Sequence, residues 1–566
     1  MNGATRTVLI AALAVTLGAV AAAAPAGQAP ATLVAAIDAL QGGDAATAAR
    51  LLDQITADSS APAAAWRALG TARQRLSQTR QAIAAFERAL ALEPESPQAL
   101  YSLGSLHAAQ HETQLALRYL QRAQATHRYD MTQIEVDDNL AALRADPRVR
   151  ALLPTAAQFE SPFVEPVKVI HEWRGEAAED QFGWIARDVG DVDGDGIDDF
   201  VTSAPTHGAS RAGRIYAYSG ASGRLLWHAD GVAGDELGTG LEAAGDTNHD
   251  GIPDVVASGP SAKGVARIYS GRDGRVLQEF HAERAAETFG NHIAGAGDVD
   301  GDGCADVIVG SPGKDGEEKS PGHAYVYSGR TGQLLLSLSG ERAGDQFGST
   351  VAGFSAGTER YLLVGAPRAG AGRHGRVYVY GGPAQALKFT IESDDSGHAL
   401  GLMFVSVLGD VDADGMRDIY ASDWSNSARG PSTGRIYVHS GRSGERLLTL
   451  TGEDAGDGFG TSSSVAGDVD GDGGADLVVG AWQYGRVAIS GGRVYLYGGS
   501  DGRLLRTFTD RVAGDTLGFD AVGLGDVDGD GSVDLLVSAA WSAVHGHHSG
   551  RVFLVSSGLP AHPRHH

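Results

Sequence analysis

One nonapeptide, written six times, limits what this chain can fold into more than any other feature. Asp191-Val192-Asp193-Gly194-Asp195-Gly196-Ile197-Asp198-Asp199 sets carboxylates at positions 1, 3, 5 and 9 of a glycine-rich loop. Side chains so spaced can converge on one hard cation. Ca²⁺ takes six to eight oxygens, so four acidic side chains and the backbone carbonyl of position 7 suit it, while glycine allows the sharp turn. The frame recurs as Asp246, Asn248, Asp250 and Asp254 with Ile252 at position 7, and as Asp298, Asp300, Asp302 and Asp306 with Cys304. It recurs again as Asp410, Asp412, Asp414 and Asp418 with Met416, as Asp468, Asp470, Asp472 and Asp476 with Gly474, and as Asp526, Asp528, Asp530 and Asp534 with Ser532. One acidic turn is commonly only a solvated loop, but six in register are a repeat. About six calcium sites are therefore expected.

The loops begin at 191, 246, 298, 410, 468 and 526, and the single long interval of 112 residues is twice 56. A seventh repeat without metal is expected there, visible as Phe347-Gly348 and Leu362-Leu-Val-Gly-Ala-Pro367, with Ser355 to Arg360 replacing the acidic loop. Each repeat reads as four short strands: one opened by Phe-Gly or Leu-Gly, one after the loop such as Asp306 to Gly310, one such as Gly375-Arg-Val-Tyr-Val-Tyr380, and one such as Arg446 to Leu450. Seven four-stranded units arranged radially make a β-propeller over 167–558, which hides its sheet edges. The last repeat lacks its fourth strand, and Val167 to Trp173 stands unpaired before the first, so the two ends of the ring are expected to pair.

These residues resemble the FG-GAP repeat of integrin α-chain propellers, found also in exported bacterial proteins. Phe182-Gly183 with Ala204-Pro205, Phe289-Gly290 with Gly310-Ser311-Pro312, Phe347-Gly348 with Gly365-Ala366-Pro367, and Phe459-Gly460 with Gly480-Ala481 carry the likeness. The resemblance implies seven blades, Ca²⁺ in loops on one face and partner binding on the opposite face. Fold and metal sites carry over. Receptor signalling does not, since six of seven repeats keep a metal loop and no leg domains or membrane span are found.

The N-terminal third has a different composition, rich in Ala, Leu, Gln and Arg, whereas the chain's 80 glycines crowd after about residue 180. Residues 1–26, with Arg6, an apolar run from Val8 to Val20 and Ala24-Pro25-Ala26, read as a secretory signal. From 31 to 153 the pattern is helical. Trp66, Leu69, Gly70, Ala82, Phe86 and Ala89 are followed 34 residues later by Leu100, Leu103, Gly104, Ala116, Leu120 and Ala123, a spacing that resembles the tetratricopeptide repeat. The stretch from Asn139 to Leu153 reads as terminal helices that cap the stack. Residues 154–166, with three prolines, read as the linker, and 559–566 as a tail.

The formal net charge of −25 argues against nucleic-acid or anionic-membrane partners, which need a basic face. Cys304 is the only cysteine, so no intrachain disulfide is possible, and it reads as incidental to its loop. Trp424, Trp482 and Trp541 fall on adjacent blades at the end away from the acidic loops. They are either a recognition patch or packing between blades, and both readings stand. Gly430-Pro-Ser432-Thr-Gly434 spells a nucleophile elbow but sits in a strand turn with no following helix. His545, His547, His548, His562, His565 and His566 could hold a transition metal, or form a solvated loop and tail.

The sequence thus leads to a multidomain chain, a short α-solenoid followed by an all-β propeller. Its expected role is that of an exported, non-catalytic calcium protein, periplasmic or secreted and monomeric, that holds a protein or glycan partner. The alternatives are a carbohydrate- or lipid-active enzyme on the propeller face, or an envelope scaffold acting through the helical repeats.

Overall fold

The computed structural model describes residues 31–559 except 59, 209, 260–263, 285–287, 314–319, 371, 383–384 and 463. The expected signal at 1–26 and nearly all of the tail lie outside the described residues. The chain forms two compact units, a helical one that ends at Ser161 and an all-β one that begins at Pro162.

The helical unit is built from antiparallel pairs: Ala31–Gln41 with Ala45–Thr56, Ala63–Arg75 with Thr79–Leu92, and Pro97–Ala109 with Thr113–Ala125. The spacing of 34 explains the packing. A Cβ on Gly70 would lie 2.7 Å from the Phe86 ring and one on Gly104 would lie 2.8 Å from the Leu120 side chain, so each glycine is the hole into which the partner helix sets its large residue. Phe86, Leu120, Ala82 and Ala116 are fully buried. Beyond Ala125 the structure corrects the sequence reading. In place of capping helices it has 3₁₀ turns at Met131–Glu135 and Asp138–Leu143 and a single α turn at Pro147–Arg150. The reason is local: Asp130, Asp137 and Asp146 each cap a new turn by accepting from the backbone N–H two residues on, which restarts the helix before it can lengthen. Leu140, Val149 and Leu152 still close the apolar core.

The linker is likewise shorter than its prolines suggest. Residues Ala156–Glu160 form a helical turn with a capping box between Thr155 and Gln158. Residues 162–166 already belong to the β unit: Val164 N–H donates to Thr509 O at 2.9 Å, and the Glu165 carboxylate accepts from Thr509 N–H at 2.7 Å. Phe163 packs edge-on against Phe553, 5.1 Å between centroids.

That unit is a seven-bladed propeller of four-stranded antiparallel sheets. Strand Val169–Arg174 joins the last sheet, from Val169 opposite Val555 to Arg174 opposite Arg551, and so closes the ring. Second strands such as Asp306–Ser311 and Asp476–Ala481 are buried along their whole length, as expected of a strand covered on both faces. The Phe of each Phe-Gly pair is buried and meets the third-strand tyrosine of its blade edge-on, as Phe182 with Tyr216 at 5.3 Å, Phe347 with Tyr378 at 5.3 Å and Phe459 with Tyr495 at 5.4 Å. The glycine beside it is required at Gly348, where φ is +89° and a Cβ would lie 2.0 Å from His323 O.

Blade four does without an acidic loop. Its first two strands, Thr350–Ala356 and Glu359–Ala366, are longer than their counterparts and meet through the two-residue turn Gly357-Thr358, with φ +58° at Gly357.

Two buried ion clusters bridge blades. Arg187 pairs with Asp520 and, at 2.6 Å, with Glu242, so that the first strands of blades seven, one and two are tied together. Arg551, with no solvent exposure, pairs with Asp515, with Asp510 at 3.3 Å and with Glu172 of the closing strand at 3.6 Å. Removing one member of such a cluster strands buried charge. Arg551→Met is expected to lower unfolding free energy by about 3–5 kcal/mol, against less than about 1 kcal/mol for Arg211→Ala, which cuts an exposed pair. Urea titration of both variants checks this, and equal losses would show that the seam does not depend on its arginine.

Candidate metal centres and the opposite face

Each acidic loop joins the first and second strands of its blade, and its own backbone holds the carboxylates in place. At position 1, Asp191 accepts from the N–H groups of Gly194 (2.6 Å), Asp195 (3.1 Å) and Gly196 (2.9 Å), and Asp298 does the same with Gly301, Asp302 and Gly303. At position 5, Asp195, Asp250, Asp302, Asp414, Asp472 and Asp530 each accept from the N–H of position 7, at 2.8 to 3.0 Å. Position 4 needs a left-handed backbone. Gly194 supplies it at φ +83°, and His249 and Ala413 are held there too, at +62° and +59°.

Position 9 is the deepest. Asp199, Asp254, Asp306, Asp418, Asp476 and Asp534 all have no solvent exposure. One oxygen of each accepts from the N–H of position 2, at 2.6 to 3.0 Å. In five blades the other accepts from a glycine in the turn between the third and fourth strands: Gly220, Gly271, Gly329, Gly441 or Gly499. This aspartate is thus both a candidate ligand and the link between the loop and the far hairpin of its blade. Burial pushes the carboxyls of Asp199, Asp306, Asp418, Asp476 and Asp534 up to about 6, against the backbone N–H groups that pull them down.

Convergence follows from this scaffold. Carboxylate oxygens of Asp191, Asp193 and Asp199, of Asp298, Asp300 and Asp302, of Asp410, Asp412 and Asp418, and of Asp468, Asp470 and Asp476 come within 4.8 Å of one another in each set. Several buried polar atoms in the remaining loops have no partner among the described residues: both side-chain polar atoms of Asn248, Oδ1 of Asp526 and Oδ1 of Asp534. Buried oxygens left unmatched beside converging carboxylates are what a hard cation would satisfy, so the residues present fit a divalent ion. Ile197, Ile252, Cys304, Met416, Gly474 and Ser532 stand where a backbone carbonyl would complete each set. The Cys304 side chain is buried, and desolvation and the charge of Asp302 push its thiol up, away from reactivity.

At the other end of the blades the indoles part company. Trp482 and Trp541 meet edge-on at 5.0 Å, but among the described residues no ring contact joins Trp424 to either. Trp424 and Trp482 are buried, and Trp541 is only partly so. Packing between blades therefore accounts for much of this set. None of the three indole N–H groups has a partner within the described protein. The cluster also contains residues that the tryptophan spacing did not reveal: Phe519 lies 5.4 Å from Trp482, Trp184 lies 4.7 Å from Phe519, and His548 stacks on Trp541 at 5.1 Å. The overlooked signal was the position directly after the Gly of the Phe-Gly or Leu-Gly pair, which Trp184 and Phe519 both occupy. His545 and His547 use Nδ1 on Gly175 O (3.0 Å) and the Glu179 carboxylate (2.5 Å), while His562, His565 and His566 lie outside the described residues. Ser432 sits in a turn at φ +50°.

A second repeated device went unread. The arginine opening the third strand reaches the acidic residue of the loop that enters its own blade: Arg214 to Glu176 (3.1 Å), Arg376 to Glu341 (3.3 Å), Arg435 to Asp394, and Arg493 to Glu453 (2.8 Å). The tyrosine two residues on adds its hydroxyl in three of them, Tyr216 to Glu176, Tyr437 to Asp394 and Tyr495 to Glu453. Recurrence of Gly-Arg-x-Tyr opposite a recurring acid was the available signal.

Comparison with known proteins agrees with this geometry. A model of the FG-GAP repeat matches residues 188–218 and 289–327, and one of an FG-GAP-like repeat matches 370–479. Integrin alpha-4 of Xenopus laevis is 31% identical over 256 residues, 41% of this chain and 24% of that protein. Integrin alpha-V of Gallus gallus is 31% identical over 163 residues (26% and 15%), and integrin alpha-PS5 of Drosophila melanogaster 29% over 171 (26% and 17%). The match thus spans no more than 24% of the length of these three relatives.

Two outcomes test the site. Asp476→Ala removes the acceptor of three backbone N–H groups and is expected to cost about 3 kcal/mol in urea unfolding even in chelator. Asp300→Ala, an exposed position, is expected to cost less than about 1 kcal/mol under the same conditions. The second outcome concerns pH. Without metal, the buried carboxyls hold protons up to about 6 in the folded state, against an ordinary value of 3.8. The folded form then binds more protons between those values, so in chelator stability is expected to fall as pH rises through about 6. Saturating divalent ion, which keeps the carboxylates ionised, should remove or reverse that slope in melts at pH 5 and pH 7.

Proposed function

Because the chain carries FG-GAP repeats on a seven-bladed propeller, we propose that it is an exported, non-catalytic interaction module. In this reading Ca²⁺ fills the six acidic loops, and the opposite face presents a rigid surface to a protein or glycan partner. The observation that carries the reading is the identical placement of six acidic loops at one end of the blades, each anchored by a buried aspartate. Calcium there offsets carboxylate repulsion and fastens the loop to two hairpins, so binding energy adds to folding energy.

The partner-facing set starts with Trp541 and His548, the partly exposed members of the aromatic cluster, whose stacked rings offer flat apolar surface to an incoming group. Likeness to integrin alpha chains supports an adhesion role, and among the described residues no helix is long and apolar enough to cross a membrane. The signal-like residues 1–26 support export to a compartment where millimolar calcium is at hand.

Scanning calorimetry of the purified chain tests the metal. At ten times Kd each filled site adds about 1.4 kcal/mol, so six sites should raise Tm by on the order of 10 °C. An unchanged Tm between EDTA and millimolar Ca²⁺ would overturn the calcium reading. Capture of a partner from the native source in Ca²⁺, its release in EDTA, and weakening by about tenfold or more in Trp541→Ala test the interaction role. Multiple-turnover conversion of a polysaccharide or glycolipid would replace that role with an enzyme.

A further inference from the structure

The seventh-blade loop differs from the other five in what already neutralises it. Lys168, one residue before the closing strand, places Nζ 2.6 Å from Asp528 and 2.7 Å from Asp530, which hold positions 3 and 5. Sheet register gives Lys168 the place that Arg503 has in blade six, since Val169 pairs with Val555 as Leu504 pairs with Tyr497. Arg503 reaches only position 3, Asp470, at 3.1 Å, while Asp472 at position 5 accepts from Ser500. Arg442 in blade five reaches only position 5, Asp414. Among the described residues, Lys168 alone spans two carboxylates of one loop.

A second peculiarity comes from the way the ring closes. In the other five loops the position 9 carboxylate receives a turn glycine N–H, but blade seven has no such turn, because its fourth strand comes from the other end of the β unit. The equivalent N–H, that of Ser557, donates to Val533 O at 2.9 Å instead. Asp534, with no solvent exposure, is left with an unmatched Oδ1, and so is Asp526 at position 1. Closure therefore takes away a donor that would compete for the site and brings in an ammonium that does.

We propose that Lys168 is a tethered counter-ion of the seventh-blade loop, and that a divalent cation enters this site only by displacing it. The inference rests on the calcium reading above. The exchange needs only side-chain motion: Lys168 has a flexible four-carbon stem, and its backbone carbonyl stays fixed by the N–H of Ser556 at 3.0 Å. The displaced ammonium gives Asp528 and Asp530 to the metal, and the unmatched oxygens of Asp526 and Asp534 complete the set. The site is accordingly the weakest of the six, and without metal Lys168 keeps the closing strand fastened to its blade.

Calorimetric titration of the chelator-stripped full chain with Ca²⁺ tests this. Wild type is expected to show one step at least tenfold weaker than the rest. Lys168→Met and Lys168→Gln should tighten that step at least fivefold, and Asp534→Asn should remove it alone. Melting supplies a second readout: Lys168→Met should lower Tm in EDTA and leave it at the wild-type value in saturating Ca²⁺. Calcium binding by wild type with an isotherm that neither lysine variant changes would overturn the inference and leave the calcium reading standing. Equal loss of Tm in both conditions would also overturn it, by making Lys168 a strand anchor only. No calcium binding by wild type would overturn both.

Discussion

A carboxylate without solvent contact, set at the same point in six blades, is the constraint on which the rest of the propeller depends. An ionised group so buried must be matched by donors or by a counter-ion. The backbone supplies part of that match: position 2 of the loop and a glycine from the hairpin across the sheet point N–H groups at it. This arrangement forces the first-to-second strand loop and the third-to-fourth strand turn to lie side by side at one end of five of the six blades with an acidic loop. The remaining acids of the loop then crowd around one point, and their mutual repulsion is the other half of the constraint. The divalent ion proposed here resolves that repulsion without disturbing the hydrogen bonds. Blade four shows the alternative solution. With no acids to hold apart, it needs only longer strands and a two-residue turn, and Arg360 donates to Asp298 O at 2.8 Å, helping to support the acidic loop of the neighbouring blade.

The opposite end is held by different chemistry. In blades one, four, five and six the entering loop is fastened by the arginine that opens the third strand, and in blades one, four and six the Phe of the Phe-Gly pair seals the joint against the tyrosine of that strand. Since the entering loop arrives from the preceding blade, this fastening sets the angle between neighbours. Where the ring closes, the same place is taken by Arg551, which is wholly buried and bears three acids, against two for Arg214 and for Arg376. In the closing blade the chain does not run on from the third strand to the fourth, and Arg551 pairs with Glu172 of the incoming fourth strand while it holds the connection from blade six through Asp510 and Asp515.

What the sequence made legible depended on whether a constraint repeats. The Asp frame, the Phe-Gly pair and the missing last strand each recur or fail once against a fixed period, and each was found where expected: seven sheets, a fourth blade with a short turn in place of the acidic loop, and Val169–Arg174 in the seventh. Gly70 with Phe86 and Gly104 with Leu120 were legible for the same reason. Local competition hid the rest. From Met131 onward the apolar pattern remained helical, but Asp130, Asp137 and Asp146 capped each turn in succession and produced 3₁₀ segments. At 162–166 prolines suggested a free linker, yet a proline carbonyl still accepts, and Pro162 O takes the N–H of Arg511 at 2.8 Å. The tryptophans were placed at the right end of the blades, but spacing along the chain does not say which rings share a neighbour. Trp541 and Trp482 meet because Phe519 from a different connection packs against both.

The two ends of the blades therefore answer to different solution conditions, and this bears on how such a module could work. In the proposed calcium form, stability on the acidic side would rest on carboxylates that respond to metal and to pH, whereas the arginine clasps and aromatic joints of the far side involve groups that stay charged or neutral across that range. A fall in divalent ion would loosen the acidic side while the clasped face kept its local packing. The two ends are joined by the second strands, which in the six blades with an acidic loop begin at the position 9 aspartate or its immediate neighbour and are buried along their whole length. In blades six and seven this path is short and unbroken: Asp476–Ala481 leads straight to Trp482, and Asp534–Ala539 is followed two residues later by Trp541. In blade seven one fully paired strand thus has the buried aspartate at its first residue and the partly exposed indole two residues past its end.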